Sequence, residues 1–300
     1  MTIKELEKSL DKIYSKDTCY PLCRDDWNDN NKTLGHCAIV SLIVNDYFGG
    51  DIYKIKVDGI SHYFNYIDNN IIDLTSSQFD STIDYTDMIK KDRKSILSDK
   101  DTCFRYNLLR LKLVDLEIYK CDLCSDMIEK FPNSKTVSIG NSSDIVILGE
   151  APANNGWRKS GRAWYDINDK LLPSGVVLEK LLKEINLKIE DTYFLEAIKC
   201  FPVDRKYLNK CGVNCKKYLL KQLEIIQPKI VLSLGDAATK SILDIKYSKF
   251  SEVVGKEFIV NGYRVIPIYH PSPISPMSYK GNIDIFKKLV KNELCDKISL

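Results

Sequence analysis

The chain has 300 residues, 44% of them apolar, and carries 44 Lys and Arg against 41 Asp and Glu for a net charge of +3. That length and apolar content predict about two globular domains, and the absence of a charged-then-apolar leader or of a run near the roughly 20 apolar residues that cross a bilayer predicts a cytoplasmic protein that uses no membrane. The even charge balance does not by itself point to nucleic acid, which needs clustered Lys and Arg, and ten cysteines in a reducing compartment suit metal ligation or catalysis better than disulfides.

In chain order, Leu34-Gly35-His36-Cys37 leads into an apolar segment that ends at Phe48-Gly49-Gly50, which predicts a helix with Cys37 at its start. A helix N-terminus favours a thiolate, so this is a place for a nucleophile. Ser61-His62-Tyr63-Phe64-Asn65 and Ile72-Asp73-Leu74-Thr75 alternate as strands do. Cys on a helix, then His and Asp on successive strands, is the layout of transglutaminase- and papain-like thiol enzymes, which makes Cys37, His62 and Asp73 a candidate triad. The plainer reading is an inert buried Cys beside a satisfied core histidine, in a module that binds a partner or a DNA end. The helical pattern Tyr106 to Leu111 runs out before Cys121, which divides the chain into a smaller α+β domain at 1–116 and a second domain at 117–300.

In the second domain four apolar runs, 144–148, 192–198, 229–234 and 263–269, alternate with amphipathic patterns at 175–185 and 215–226. This is an α/β pattern and predicts a four-stranded parallel sheet flanked by helices. Ligands of such sheets sit beyond the carboxyl ends of the strands, where Glu150, Glu196 and His270 fall. Cys121 and Cys124 form a C-x2-C pair, and Cys200 and Cys215 a C-x14-C pair. Four thiolates hold either zinc or an iron-sulfur cluster, and spacing alone does not separate the two, although the long gap after Cys124 is unlike a zinc ribbon. Cys211 competes with Cys215 for the last place.

Gly149-Glu150-Ala151-Pro152-Ala153 and Tyr269-His270-Pro271-Ser272-Pro273, in order with the four cysteines, resemble the iron-sulfur uracil-DNA glycosylases of families four and five over about residues 118–297. Tyr14 to Phe79, with Arg105-Tyr106, resembles the YunG-like small domains. The first resemblance implies a monofunctional DNA glycosylase of repair or defence, acting as a monomer on a flipped-out base, with a 4Fe-4S cluster on Cys121, Cys124, Cys200 and Cys215. It implies further that backbone at Gly149 and Ala151 approaches the flipped nucleotide, that Trp164 stacks on the base, and that His270 donates a hydrogen bond to it. Ser272 would hold the DNA backbone, Glu150 would orient water or bond the turn's N–H groups, and Asn155 continues the motif as in family five. Water would be the nucleophile, since no Lys is placed for a Schiff base. Arg158, Lys159 and Arg162 are expected to contact phosphates.

Two departures stand out. The family reads the uracil edge with an Asn where this chain has Glu196, and family four has a second carboxylate where Asn154, Asn155 and Gly156 stand, with Asp166 a weak substitute. An ionised Glu196 only accepts hydrogen bonds and suits an exocyclic amine, as on a modified cytosine or adenine, whereas a protonated one mimics Asn. The alternative is a catalytically inactive, nucleic-acid-binding glycosylase fold that targets a thiol hydrolase or acyltransferase in the N-terminal domain.

Overall fold

The computed structural model describes residues 1–130, 136–142, 144–153 and 156–289. Contacts divide the chain into two compact units, Met1–Leu116 and Glu117–Leu300. No described helix is long and apolar enough to cross a membrane.

The first unit starts with α1 (Ile3–Leu10), whose first turn is closed reciprocally: Thr2 Oγ1 accepts from the Glu5 N–H at 3.2 Å while Glu5 Oε2 accepts from the Thr2 N–H at 2.7 Å. The expected helix follows as α2 (Cys37–Phe48), ended by Gly49. An antiparallel sheet of order β3-β2-β1-β4 comes next, from β1 (Asp51–Val57), β2 (Ile60–Ile67), β3 (Asn70–Ile72) and β4 (Ile89–Lys91). Asp73, expected on a strand, stands one residue beyond β3. Short α3 (Arg93–Leu97) and long α4 (Lys100–Lys120) follow. The inner faces of α2 and α4 bury Leu42, Ile43 and Leu109 against Ile52 of the sheet.

In the second unit β5 (Ile128–Glu129) and β9 (Phe201–Pro202) make a separate two-stranded ribbon. The main sheet has the order β11-β12-β10-β7-β8-β6. Its centre is β7 (Ile145–Gly149), β8 (Tyr193–Glu196), β10 (Ile230–Leu234) and β12 (Tyr263–Ile268), each parallel to its neighbour. The expectation of a sheet with four parallel strands is corrected: β6 (Val137–Ser138) and β11 (Phe258–Val260) add antiparallel edges and make it six-stranded and mixed. β11 turns into β12 through Asn261-Gly262, with φ of 48° and 90°, the left-handed pair that a two-residue hairpin requires.

The central strands are buried almost throughout because α5 (Trp157–Ser160), α6 (Pro173–Lys183), α7 (Leu208–Ile226), α8 (Gly235–Ile242) and α9 (Ile283–Leu289) connect and cover them. Proline sits at the first position of α6, where its missing N–H costs nothing. Ile147, Leu181, Leu232 and Phe286 meet in one core at 0% exposure, and truncating any of them to Ala costs about 2–5 kcal/mol. The packed sheet holds the loops after β7, β8, β10 and β12 together at one end.

Candidate active site

Those loops enclose a cleft of about 590 Å³. Of the residues singled out in the sequence, Gly149, Glu150, Ala151, Trp164, Glu196 and His270 line it. Asn155 lies outside the described residues. Ser272 does not line the cleft; its carbonyl accepts from the Ser275 N–H at 3.0 Å in the following turn. Asp166 closes its own turn by accepting from the Asn168 and Lys170 N–H groups, and it too is absent from the cleft wall.

One wall is aromatic. Phe194 and Glu196 are two residues apart on β8 and so share a face. Phe194 packs against Trp164 with ring centroids 4.7 Å apart and against Trp157 at 5.8 Å. A Cβ on Gly149 would stand 3.2 Å from the Phe194 ring, a tight contact that the ring would have to relieve by shifting a few tenths of an ångström. Trp164 has φ of 67°, a left-handed conformation that is strained for a bulky residue. The Leu172 N–H bond to its carbonyl at 2.8 Å and the Tyr165–Leu171 bridge hold it there.

The polar groups are held as firmly. Arg205 Nη2 lies 3.1 Å from Glu150 Oε1, and backbone bonds from Ala197 and Ile198 to the Gly149 and Glu150 carbonyls fix the turn at 2.9 Å. His270 follows β12, and desolvation by the cleft walls lowers its pKa from 6.5, against a smaller opposite pull from Glu150. Glu196 is not open to solvent: Arg158 Nη2 meets its Oε2 at 2.8 Å, with side-chain exposures of 1% and 3%. Burial pushes the Glu196 carboxyl up, and Arg158, then Lys199, pull it back. The guanidinium keeps its charge, so the 2.8 Å contact gives Glu196 a counter-ion that works against the upward push of burial. Arg158 is therefore no phosphate contact. Arg162 is also engaged, by Asp169 at 2.6 Å and Glu190 at 2.9 Å, while Lys159 is exposed. Phe194, Trp157 and Arg205 were not anticipated; only Phe194 had a signal, its register with Glu196.

Cys121, Cys124, Cys200, Cys211 and Cys215 all face one small void with Ile118, Ile128 and Ile198. Cys211 and Cys215 are one turn apart on α7 and present the same face. Burial pushes the Cys200 thiol up to about 11 and Cys211 up to about 12. Among the described residues no three His, Cys, Asp or Glu side chains are grouped so as to hold a single metal ion. Lys199, Asn214 and Tyr218 complete the wall, with Asn214 Nδ2 3.2 Å from Cys124 Sγ, and the five thiols make a donor set that fits thiolate ligation.

In the first unit His62 Nε2 and Asp73 Oδ2 lie 2.5 Å apart, and Cys37 Sγ lies 3.9 Å from the carbonyl of Ser61, the residue before His62.

The description "YunG protein" matches residues 2–116 and "Uracil DNA glycosylase superfamily" matches residues 137–292. A Type-4 uracil-DNA glycosylase of Archaeoglobus fulgidus is 31% identical over 196 residues, which cover 60% of this chain and 91% of that protein. The Type-4 uracil-DNA glycosylase of Thermotoga maritima is 30% identical over 165 residues, 54% of this chain and 81% of that one. The first unit is similar to YunG of Bacillus subtilis, 29% identical over 80 residues, 27% of this chain and 70% of that protein. A match across more than half of the chain, on the strands that build the cleft, means that the protein belongs to the uracil DNA glycosylase superfamily.

Proposed function

We propose that the chain hydrolyses the N-glycosidic bond of uracil in DNA. The observation that carries this reading is the convergence of His270, Glu150 and the Phe194–Trp164 wall on one cleft beyond the strand ends. Base removal requires a flipped nucleotide, a stacking surface, and a donor aimed at the charge that develops on the leaving base. The aromatic wall and the close backbone at Gly149 receive the base. His270, exposed on its open side and with its pKa lowered by the cleft walls, donates a ring N–H to a base oxygen as the bond breaks. Glu150, steadied by Arg205, orients the attacking water.

Cys121, Cys124, Cys200 and Cys215 would hold a 4Fe-4S cluster, with zinc as the lesser alternative; the thiol-lined pocket supports this. The bound cluster would tie the segment after α4 to the loop after β8 and to α7, and it would have no part in bond cleavage.

A second reading concerns which base is taken. Glu196 lines the cleft with Arg158 at 2.8 Å as its counter-ion, and in its ionised form it only accepts hydrogen bonds, which favours an exocyclic amine over the uracil O4 edge. Oligonucleotides carrying uracil, hypoxanthine, xanthine or modified cytosines, single- and double-stranded, decide both points by abasic-site formation. Uracil excision lost in His270→Ala is expected. Abasic sites on none of the substrates would overturn the glycosylase reading, and excision of a modified cytosine alone would replace uracil as the substrate.

A further inference from the structure

The N-terminal unit holds chemistry that base excision does not use. We propose that Cys37, His62 and Asp73 form a second active site, a thiol acyl hydrolase that acts on small esters or amides.

The placement of the three groups carries the argument. Cys37 opens the twelve-residue helix α2 and is half-buried. His62 projects from β2 with a side chain of 0% exposure, its Nε2 2.5 Å from Asp73 Oδ2. The carboxylate is itself fixed: Oδ1 accepts from the Thr75 N–H at 3.0 Å and from the Thr75 hydroxyl at 3.2 Å, and Oδ2 from the Tyr85 hydroxyl at 2.9 Å. Phe79, edge-on at 5.0 Å, and Phe64, stacked at 6.4 Å, hold the ring in plane. Gln78 Nε2 lies 3.1 Å from Nδ1 and is anchored by the Thr75 carbonyl at 2.9 Å. A buried His oriented by a fixed carboxylate, with a helix-start thiol 3.9 Å from the carbonyl of the residue before it, is a base–nucleophile arrangement, and an inert cysteine needs none of it.

His36 supplies the contrast. It precedes Cys37 in the chain, yet Thr18 Oγ1 at 2.9 Å and the Leu34 carbonyl at 2.8 Å occupy both its nitrogens, and burial pushes it down to about 4. Neither of those partners is an anion, whereas His62, whose two nitrogens are also engaged, has the Asp73 carboxylate on one of them. His62 behaves oppositely: burial disfavours its charged form, but bonds to Asp73 and then Cys37 raise it to about 9. Asp73 and Tyr85 face the ring from one side, and Cys23 and Tyr63 lie around the thiol.

In the reaction, Cys37 Sγ attacks the acyl carbon with the shared proton held on His62, and the carbonyl electron pair moves to oxygen. The oxyanion faces the first-turn N–H groups of α2, which have no intrahelical acceptor. Collapse breaks the C–O or C–N bond, and the leaving group takes the proton from His62. Water, deprotonated by His62, then attacks the thioester and releases the carboxylic acid, and Cys37 recovers its proton.

The probe is p-nitrophenyl acetate, applied to the full chain. A stoichiometric burst of nitrophenolate is expected, with one acetyl group on the peptide containing Cys37. Cys37→Ala removes both, and His62→Gln and Asp73→Asn slow acylation by about 10²-fold and about tenfold. Acylation of the wild type stays fast down to pH 6, whereas in His62→Gln it falls with pH as for a free thiol. Equal acetylation of Cys19, Cys23 and Cys103, or a folded His62→Gln that acylates at the wild-type rate, would overturn the proposal. Should His62→Gln not fold, the wild-type pH profile decides, and a tenfold fall in Cys37 labelling for each pH unit below 8 would refute it.

Discussion

The buried Arg158–Glu196 pair makes a demand that stability measurements can test. Both side chains are 97% or more withdrawn from solvent and meet at 2.8 Å, so removing either partner strands a charge at a cost of about 3–5 kcal/mol. Lys199 moderates this, because its buried ammonium lies close enough to pull on the Glu196 carboxyl while bonding the Glu196 backbone carbonyl. Arg158→Met should therefore fall near the lower end, about 3 kcal/mol, a loss of roughly 100-fold in the folding constant. Glu196→Leu should cost about as much, since it abandons Arg158, whose Nε already lacks a partner. The double variant should recover most of the loss of either single variant, because an apolar pair strands neither charge of the pair, the remainder being the buried Lys199 ammonium left with the residue 196 backbone carbonyl. Urea unfolding followed by tryptophan emission suits the measurement, since Trp157 and Trp164 both pack on Phe194 in the same cleft wall. Two small, additive single-variant effects would refute the argument. The pair also bears on the base: with Arg158 gone, burial drives Glu196 toward its protonated form, and excision should move toward uracil.

His270→Ala should lower excision of whichever base is cleaved by about 10²–10³-fold with little change in DNA affinity, as expected for a donor that acts on the leaving base; single-turnover rates and binding separate the two. Desolvation lowers the His270 pKa, so the ring is neutral at pH 7, and the His270-dependent inflection in the rate should lie below pH 6.5, read as the difference between wild-type and His270→Gln profiles. Cys121→Ser or Cys215→Ser should abolish the visible absorbance of the purified protein, whereas Cys211→Ser should retain it; the reverse pattern would exchange Cys211 for Cys215 as ligand. DNA affinity should fall with salt, and Lys159→Ala should reduce the log–log slope by about 0.9 while Arg158→Met leaves it unchanged. The rise of His62 from 6.5 to about 9 implies up to about 3 kcal/mol of stability, fully present below pH 6.5 and lost as pH rises through 9. The melting temperature of the wild type should therefore fall more between pH 7 and pH 10 than that of His62→Gln.

What could be read in advance divides along the range of the contact involved. The four central strands were legible because each is an apolar run buried on both faces, and Glu150, Glu196 and His270 followed from standing at or beside their ends. β6 has two residues, too few to show any period, so nothing announced that edge. β11 has a local signal in Asn261-Gly262 between apolar neighbours, the mark of a two-residue hairpin. The cysteines were legible as a set but not as four from five, since Cys211 and Cys215 share a helix face and both reach the void. The partner of Glu196 had no local signal at all. Arg158 lies 38 residues away and belongs to a basic stretch, Arg158-Lys159 and Arg162, that resembles a solvated phosphate-binding face. The short helix α5 separates its first two members, turning Arg158 into the core and Lys159 outward. A residue type that serves equally as phosphate ligand and as buried counter-ion is assigned only by what the fold places opposite it, and here that is the carboxylate standing where the family's base-reading amide would be.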